Sequence, residues 1–254
     1  MNQPLKDLNI LITGASSGIG EACALLFAEM GAKLMLCARR EARLQQLQER
    51  LQKHYQTPVH LMPLDVRDHT AVDRAIEQLP ADFQSIDVLI NNAGGAIGME
   101  YLRDGHVADW ETMLDTNIKG TLYFLRAVLP KMYAQNQGHV VNIGSTSAQN
   151  VYAAGSVYCA TKFAVSAITK TLSIEAISTG IRVTEIDPGM VETEFSVVRF
   201  KGDNAKAKAL YNDFQPLSAM DVADAIAYAI TRPAHVNIAQ IVLYSREQKV
   251  RLPD

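Results

Sequence analysis

The sequence predicts a doubly wound α/β fold, a single mostly parallel sheet of about seven strands with helices on both faces. Three observations predict it. Short, almost wholly apolar runs alternate with longer segments of helical period from one end of the chain to the other. Those runs lack the polar-outward alternation of a half-wetted sheet, as befits strands covered on both faces. A glycine-rich turn follows the first run and opens the first helical segment.

In chain order, strands are predicted at 8–13, 33–37, 59–63, 88–91, 139–143, 182–187 and 239–244. Between the first four, apolar residues recur at three and four residues: Ile19, Ala22, Cys23, Leu26, Met30; then Leu44, Leu47, Leu51, Tyr55; then Val72, Ala75, Ile76, Leu79. Each set gives its helix one apolar stripe to lay on the sheet. Later helices are predicted over 110–135 with a break, 157–179 and 222–231. No repeat, low-complexity linker or composition shift divides the chain, so one Rossmann-type domain over 1–254 is expected. The least regular stretch, 189–213, mixes Phe195, Phe200 and Tyr211 with charges such as Glu192, Glu194, Arg199, Lys201, Lys206 and Lys208. It follows a strand's C-terminal end, where open α/β sheets bind ligands, and is read as a substrate lid.

Composition narrows the function classes. With 24 Lys+Arg against 27 Asp+Glu the net charge is −3, which argues against nucleic acid as the partner. The three cysteines form no CxxC and no Cys/His ligand spacing, so neither a zinc or other metal site nor a disulfide framework is expected. A reducing compartment is the better expectation. No signal peptide is visible, and no stretch approaches the ~20 apolar residues of a membrane span, so a cytoplasmic protein without membrane contact is expected.

The turn TGASSGIG occupies 13–20. Gly14 suits a tight turn, Gly18 a close approach of backbone to a pyrophosphate, and Gly20 close helix–strand packing. Ser16, Ser17, Gly18 and Ile19 then bring the helix N-terminus, with its open N–H groups, to the phosphates. The second strand ends in Arg39 and Arg40 where an NAD site would carry an acid, and two guanidiniums suit a 2′-phosphate. NADP(H) is therefore predicted over NAD(H).

Tyr158 and Lys162 stand four residues apart on a predicted helix, hence on one face, and Ser145 lies just past the fifth strand. With TGASSGIG and the NNAG turn at 91–94, this set resembles the short-chain dehydrogenases/reductases, and PGMVET at 188–193 extends the likeness from residue 8 to about residue 241. The resemblance implies an enzyme acting on a CH–OH group, with Ser145, Tyr158, Lys162 and Asn117 forming the active site. Lys162 would also bind the nicotinamide ribose, and Asn117 would support a water chain leading to the lysine. It further implies Asp65 and Val66 at the adenine, Asn91, Ala93 and Gly94 near the adenosine ribose, and Pro188, Gly189, Val191 and Thr193 around the nicotinamide. For Asp65 a helix-capping role before Asp68 is the alternative.

The chemistry is also readable in the residues. A nearby ammonium favours the phenolate of a tyrosine, so Lys162 and an oxidised nicotinamide should lower the pKa of Tyr158. Tyr158 would then take the hydroxyl proton in oxidation and return it in reduction, with Ser145 holding the substrate oxygen.

Longer stretches, NNAGGAIGME at 91–100, DWETMLDTN at 109–117, EFSVVRFKGD at 194–203 and PAHVNI at 233–238, are similar to NADP-dependent 3-hydroxy acid dehydrogenases, the group that includes serine and allo-threonine 3-dehydrogenases. The small-molecule substrate this implies is a 3-hydroxy acid or its semialdehyde, whose carboxylate needs a cation. Arg199 is the candidate, with a surface pairing to Glu194 or Asp203 as its alternative. A reductase of larger carbonyls, such as a 3-oxoacyl thioester or ketone, and a non-catalytic nucleotide-sensing protein are the other readings. Helix 157–177 carries apolar residues on several faces, and the resemblance implies a homotetramer, or a homodimer through the same helices.

Overall fold

The computed structural model describes residues 3–248. Seven strands form one sheet: β1 Asn9–Thr13, β2 Lys33–Ala38, β3 Val59–Pro63, β4 Val88–Asn91, β5 Gly138–Ile143, β6 Ile181–Pro188 and β7 Gln240–Leu243. Their order is β3-β2-β1-β4-β5-β6-β7, and each neighbouring pair is parallel. The order reverses between β1 and β4, where connections leave toward opposite sides and open a crevice at the strands' carboxyl ends.

The two-residue period of the strands builds two cores. Ile10, Ile12, Leu34 and Leu36 face one side, packing on Phe27 of α1 (Gly18–Glu29), Leu44 and Leu51 of α2 (Glu41–Tyr55), and Ile226 and Ile230 farther along. Leu11, Met35, Leu89 and Val140 face the other, packing on Val72 and Ile76 of α3 (His69–Glu77) and on Phe124, Val128 and Leu172. Each fully buried side chain of this size contributes about 1.5–3 kcal/mol, which makes the sheet a rigid base for its carboxyl-edge loops.

The break expected within 110–135 is instead a change of winding. α4 (Val107–Leu114) runs through a π turn, Asp115–Lys119, into α5 (Gly120–Gln135) without leaving the axis. A π turn adds a residue to one turn and rotates the helix beyond it, and such insertions recur at functional sites. Here it carries Asn117 to the crevice. α6 spans Ser156–Glu175, shorter at its C-terminus than expected. The irregular stretch after β6 holds two short helices, α7 (Glu194–Arg199) and α8 (Asn204–Ala209), and α9 (Ala219–Ile230) closes the layer beside α1. No helix among the described residues is long and apolar enough to cross a membrane.

The glycine turn is as crowded as its spacing implies. Gly14 has φ +67° and Gly18 φ +58°, the left-handed region that glycine enters without strain. A Cβ on Gly20 would collide with the Gly14 carbonyl and stand 2.7 Å from Asn92 Nδ2. Gly20→Ala is therefore expected to cost about 2 kcal/mol of stability, read as a lower urea midpoint at unchanged slope.

Candidate active site

A cleft of about 430 Å³ opens along the carboxyl edge of the sheet, from Arg39 and Arg40 at one end to Tyr158 and Arg199 at the other. Its walls include Gly14, Ser16, Ser17, Gly18, Ile19, Asp65, Val66, Ala93, Gly94, Asn117, Ser145, Lys162, Pro188, Gly189, Val191 and Thr193. Two expected residues do not line it. Gly20 packs beneath the turn, and Asn91 points into the sheet, where its Nδ2 donates to Asn142 Oδ1 at 2.9 Å. Asn142 in turn donates to Thr169 of α6 at 2.9 Å, so Asn91 ties β4 to β5 and α6.

Thr13 and Asn92 hold the nucleotide end together. Thr13 Oγ1 accepts from the Asn92 and Ala93 N–H groups at 3.0 and 2.9 Å, and Asn92 Nδ2 donates to the Thr13 carbonyl at 2.9 Å. Ser17, the N-cap of α1, makes no side-chain cap bond, so the first-turn N–H groups are left to a ligand. Asp68, not Asp65, caps α3 by accepting from the Ala71 N–H at 3.0 Å. Asp65 is gripped by the Arg67 guanidinium at 2.7 and 3.0 Å; burial raises its pKa, but these bonds and charges prevail and hold it below the carboxylate range.

At the outer end a ready anion seat is visible. Arg40 donates to Ser17 Oγ at 2.7 Å and Ser16 Oγ at 3.0 Å, and with Arg43 it clasps the Glu194 carboxylate at 2.9 and 2.6 Å. Hydrogen bonds from both guanidiniums keep Glu194 well below the usual carboxylate range. Arg43 thus belongs to the same cationic group as Arg40.

The inner end gathers the four expected side chains. Asn117 is buried with its amide saturated: Oδ1 accepts from the Gly95 N–H at 2.8 Å, and Nδ2 donates to the Gly95 carbonyl at 2.9 Å and Thr161 Oγ1 at 3.0 Å. It pins the loop after β4 to α6 and has no side-chain donor left. Ser145 Oγ accepts from the Ser147 N–H at 3.1 Å, which leaves its own O–H to donate into the cleft. Lys162 Nζ donates to the Ile143 carbonyl at 2.8 Å and lies 5.9 Å from the centre of the Tyr158 ring.

Burial governs the charges at this end. Burial dominates Tyr158 and pushes its phenol up from the ordinary value; the Ser145 hydroxyl and the Arg199 guanidinium pull the other way with less effect. Burial lowers Lys162 to about 8, with the Asp187 and Glu185 carboxylates pulling it up. Burial thus opposes the Tyr158 phenolate unless a further positive charge joins Lys162 and Arg199.

The stretch 189–213 folds over this end. Thr193 caps α7 by accepting from the Phe195 N–H at 3.2 Å, and Phe195 meets the Tyr158 ring edge-on with centres 5.6 Å apart. Arg199, only 8% exposed, has its guanidinium 5.7 Å from the Tyr158 ring centre and donates to Tyr152 Oη at 2.8 Å. Its buried Nε has no partner among the described residues. Neither alternative partner is used: Glu194 belongs to Arg40 and Arg43, and Asp203 caps α8 and pairs with Lys206. Lys201 is turned away to Asp109 at 2.8 Å.

Comparisons with known proteins agree with this geometry. The family model described as short chain dehydrogenase matches residues 8–204. The NADP-dependent 3-hydroxy acid dehydrogenase of Schizosaccharomyces pombe is 45% identical over 245 residues, covering 96% of this chain and 95% of its own. Sulfoacetaldehyde reductase 2 of Chromohalobacter salexigens is 45% identical over 240 residues, 94% of each chain. The closed form of serine dehydrogenase complexed with NADP+ superposes with a TM-score of 0.92 at 42% identity, covering 97% of this chain and 98% of that one. By sequence along most of its length, and by a sheet order that brings Ser145, Tyr158, Lys162 and Asn117 to one cleft, the chain belongs to the short-chain dehydrogenase family.

Proposed function

We propose that the protein is an NADP-dependent oxidoreductase that interconverts a small anionic 3-hydroxy acid and its carbonyl form. The observation that carries the substrate class is Arg199. A guanidinium that is buried, keeps one donor unpartnered and lies against the Tyr158 ring is costly unless an anion completes it. A carboxylate or sulfonate one or two carbons from the reacting centre provides that anion. The relatives named for a 3-hydroxy acid and for sulfoacetaldehyde share this feature of substrate.

The nucleotide end fits the cofactor. Arg40 and Arg43, gathered on the Glu194 carboxylate beside Ser16 and Ser17, support a seat for a 2′-phosphate there, and Arg39 adds a further cation. When bound, NADP(H) supplies the hydride. The protein's own residues do the rest. Ser145 donates its O–H to the substrate oxygen and stabilises charge growing there. Tyr158 delivers the phenolic proton to that oxygen in reduction and removes it in oxidation. Lys162, buried and tied to the Ile143 carbonyl, holds a positive charge beneath the phenol. Asn117 keeps the Gly95 loop and Thr161 in place.

Exposed apolar side chains on α5 and α6, Leu122, Phe163 and Ile174, support assembly of two or four copies through these helices. The substrate reading is tested by assaying short aldehydes bearing a carboxylate or sulfonate against neutral ketones and an acyl thioester, each with NADPH and NADH. Anionic aldehydes with NADPH are expected to give the highest kcat/KM, and Arg39→Ala with Arg40→Ala should cut the NADPH preference by about tenfold or more. Equal use of neutral ketones would sink the substrate class.

A further inference from the structure

Behind the catalytic side chains, β6 carries two acids that pattern reading did not single out. Glu185 and Asp187 are two residues apart on one strand, so both side chains leave the same face, and they are 2% and 0% exposed. Their carboxylates converge beneath Gly144: a Cβ there would collide with Asp187 Oδ1 and stand 2.8 Å from Glu185 Oε1. Asp187 Oδ1 accepts the Ser145 N–H at 2.9 Å, and Oδ2 accepts from Gln149 at 3.2 Å and from Gln240 of β7. Glu185 Oε2 accepts from Ser166 Oγ at 3.0 Å, while its buried Oε1 has no hydrogen-bond donor among the described residues.

Two ionised carboxylates this close and this dry repel strongly, and the pair reaches its lowest energy by keeping one proton between them. Glu185 Oε1, lacking any other donor, is where that proton has a use: it turns an orphan acceptor into a donor toward Asp187. The groups facing the pair are Lys162 and Lys170 of α6, with Gly144, Ser145 and Gln240 facing it uncharged.

We propose that Glu185 and Asp187 are a proton-sharing carboxylate pair that positions Ser145 through its backbone N–H and sets the charge state of Lys162. Both are positioning residues, acting through Ser145 and Lys162 without touching substrate. Their role rests on the Ser145, Tyr158 and Lys162 chemistry above and is independent of the anionic substrate class. Burial and the neighbouring Asp187 carboxylate push Glu185 up to about 7. Above that pH the pair carries two negative charges and holds the Lys162 proton more tightly.

The folded pair binds its proton more tightly than an unfolded glutamate, whose ordinary value is 4.5. Stability is then full at the acid side of this window and falls as pH rises from 4.5 through about 7. The test compares wild type, E185Q, D187N and D187A. The wild-type melting temperature should decline between pH 5 and 8, and E185Q should flatten that decline by about 5 °C. With whichever carbonyl the wild type reduces, E185Q should move the alkaline limb of kcat down by about half a pH unit, because Lys162 loses part of the charge that holds its proton. D187A should lower kcat about tenfold, and D187N, which restores an acceptor to the Ser145 N–H, should recover most of it. An E185Q melting profile parallel to wild type would refute the shared proton. An unmoved kcat limb would refute the link to Lys162, and D187N as slow as D187A would refute the positioning of Ser145. The melting arm needs no substrate, so a wrong substrate reading leaves it decisive.

Discussion

Tyr158→Phe is expected to lower kcat about a thousandfold while NADPH binding stays within a few-fold of wild type. The substitution removes one oxygen from a side chain that is 9% exposed and packed edge-on against Phe195, so the ring keeps its place. What is lost is the proton donor. Ser145 still offers its O–H to the substrate oxygen, so a residual rate is expected from orientation and charge stabilisation alone. Stopped-flow measurement of NADPH oxidation separates the two outcomes: slow hydride transfer with normal binding supports the assignment, and unchanged hydride transfer overturns it.

Arg199→Met should raise KM for carboxylate- or sulfonate-bearing aldehydes about a hundredfold, and change it little for a neutral aldehyde of similar size. Methionine keeps the bulk beside Tyr152 and removes the charge. The same change relieves a buried cation with an unpartnered Nε, so stability without substrate should hold or rise, which a melting curve would show. A surface role would give the reverse pattern, a small loss of stability and no change in KM. Arg199→Lys should not restore affinity fully, because a lysine cannot span Tyr152 Oη and a bound anion with the geometry of a guanidinium fork.

The strands were legible because each is a short apolar run between punctuating residues, and every predicted strand is found within about two residues of its expected bounds. The glycine turn was legible for a steric reason, since Gly14, Gly18 and Gly20 stand where a Cβ would strain the backbone or strike a neighbour. The π turn at Asp115–Lys119 was not, because its residues continue the helical period and only the backbone shows the extra residue. Nor was the burial of Tyr158 and Lys162: a lysine four residues away is visible in sequence, whereas the depth at which both groups are buried is a property of the packed lid and sheet.

Arg199 shows the division most plainly. Its place in a mixed aromatic and charged segment made it a candidate, but whether it met Glu194, Asp203 or a substrate depended on where α7 came to rest. The packing of Phe195 on Tyr158, and the capture of Glu194 by Arg40 and Arg43, turned it inward. Glu185 and Asp187 are the further case, ordinary acids in a strand until Gly144 lets their carboxylates meet beneath Ser145. Periodicity, steric need and four-residue spacing are local properties, so the sheet, the glycine turn and the Ser145, Tyr158 and Lys162 set are written in the chain itself. Charge states and partners were settled by the packed fold, because desolvation and charge pairing depend on groups far apart in the chain that folding brings within a few ångströms.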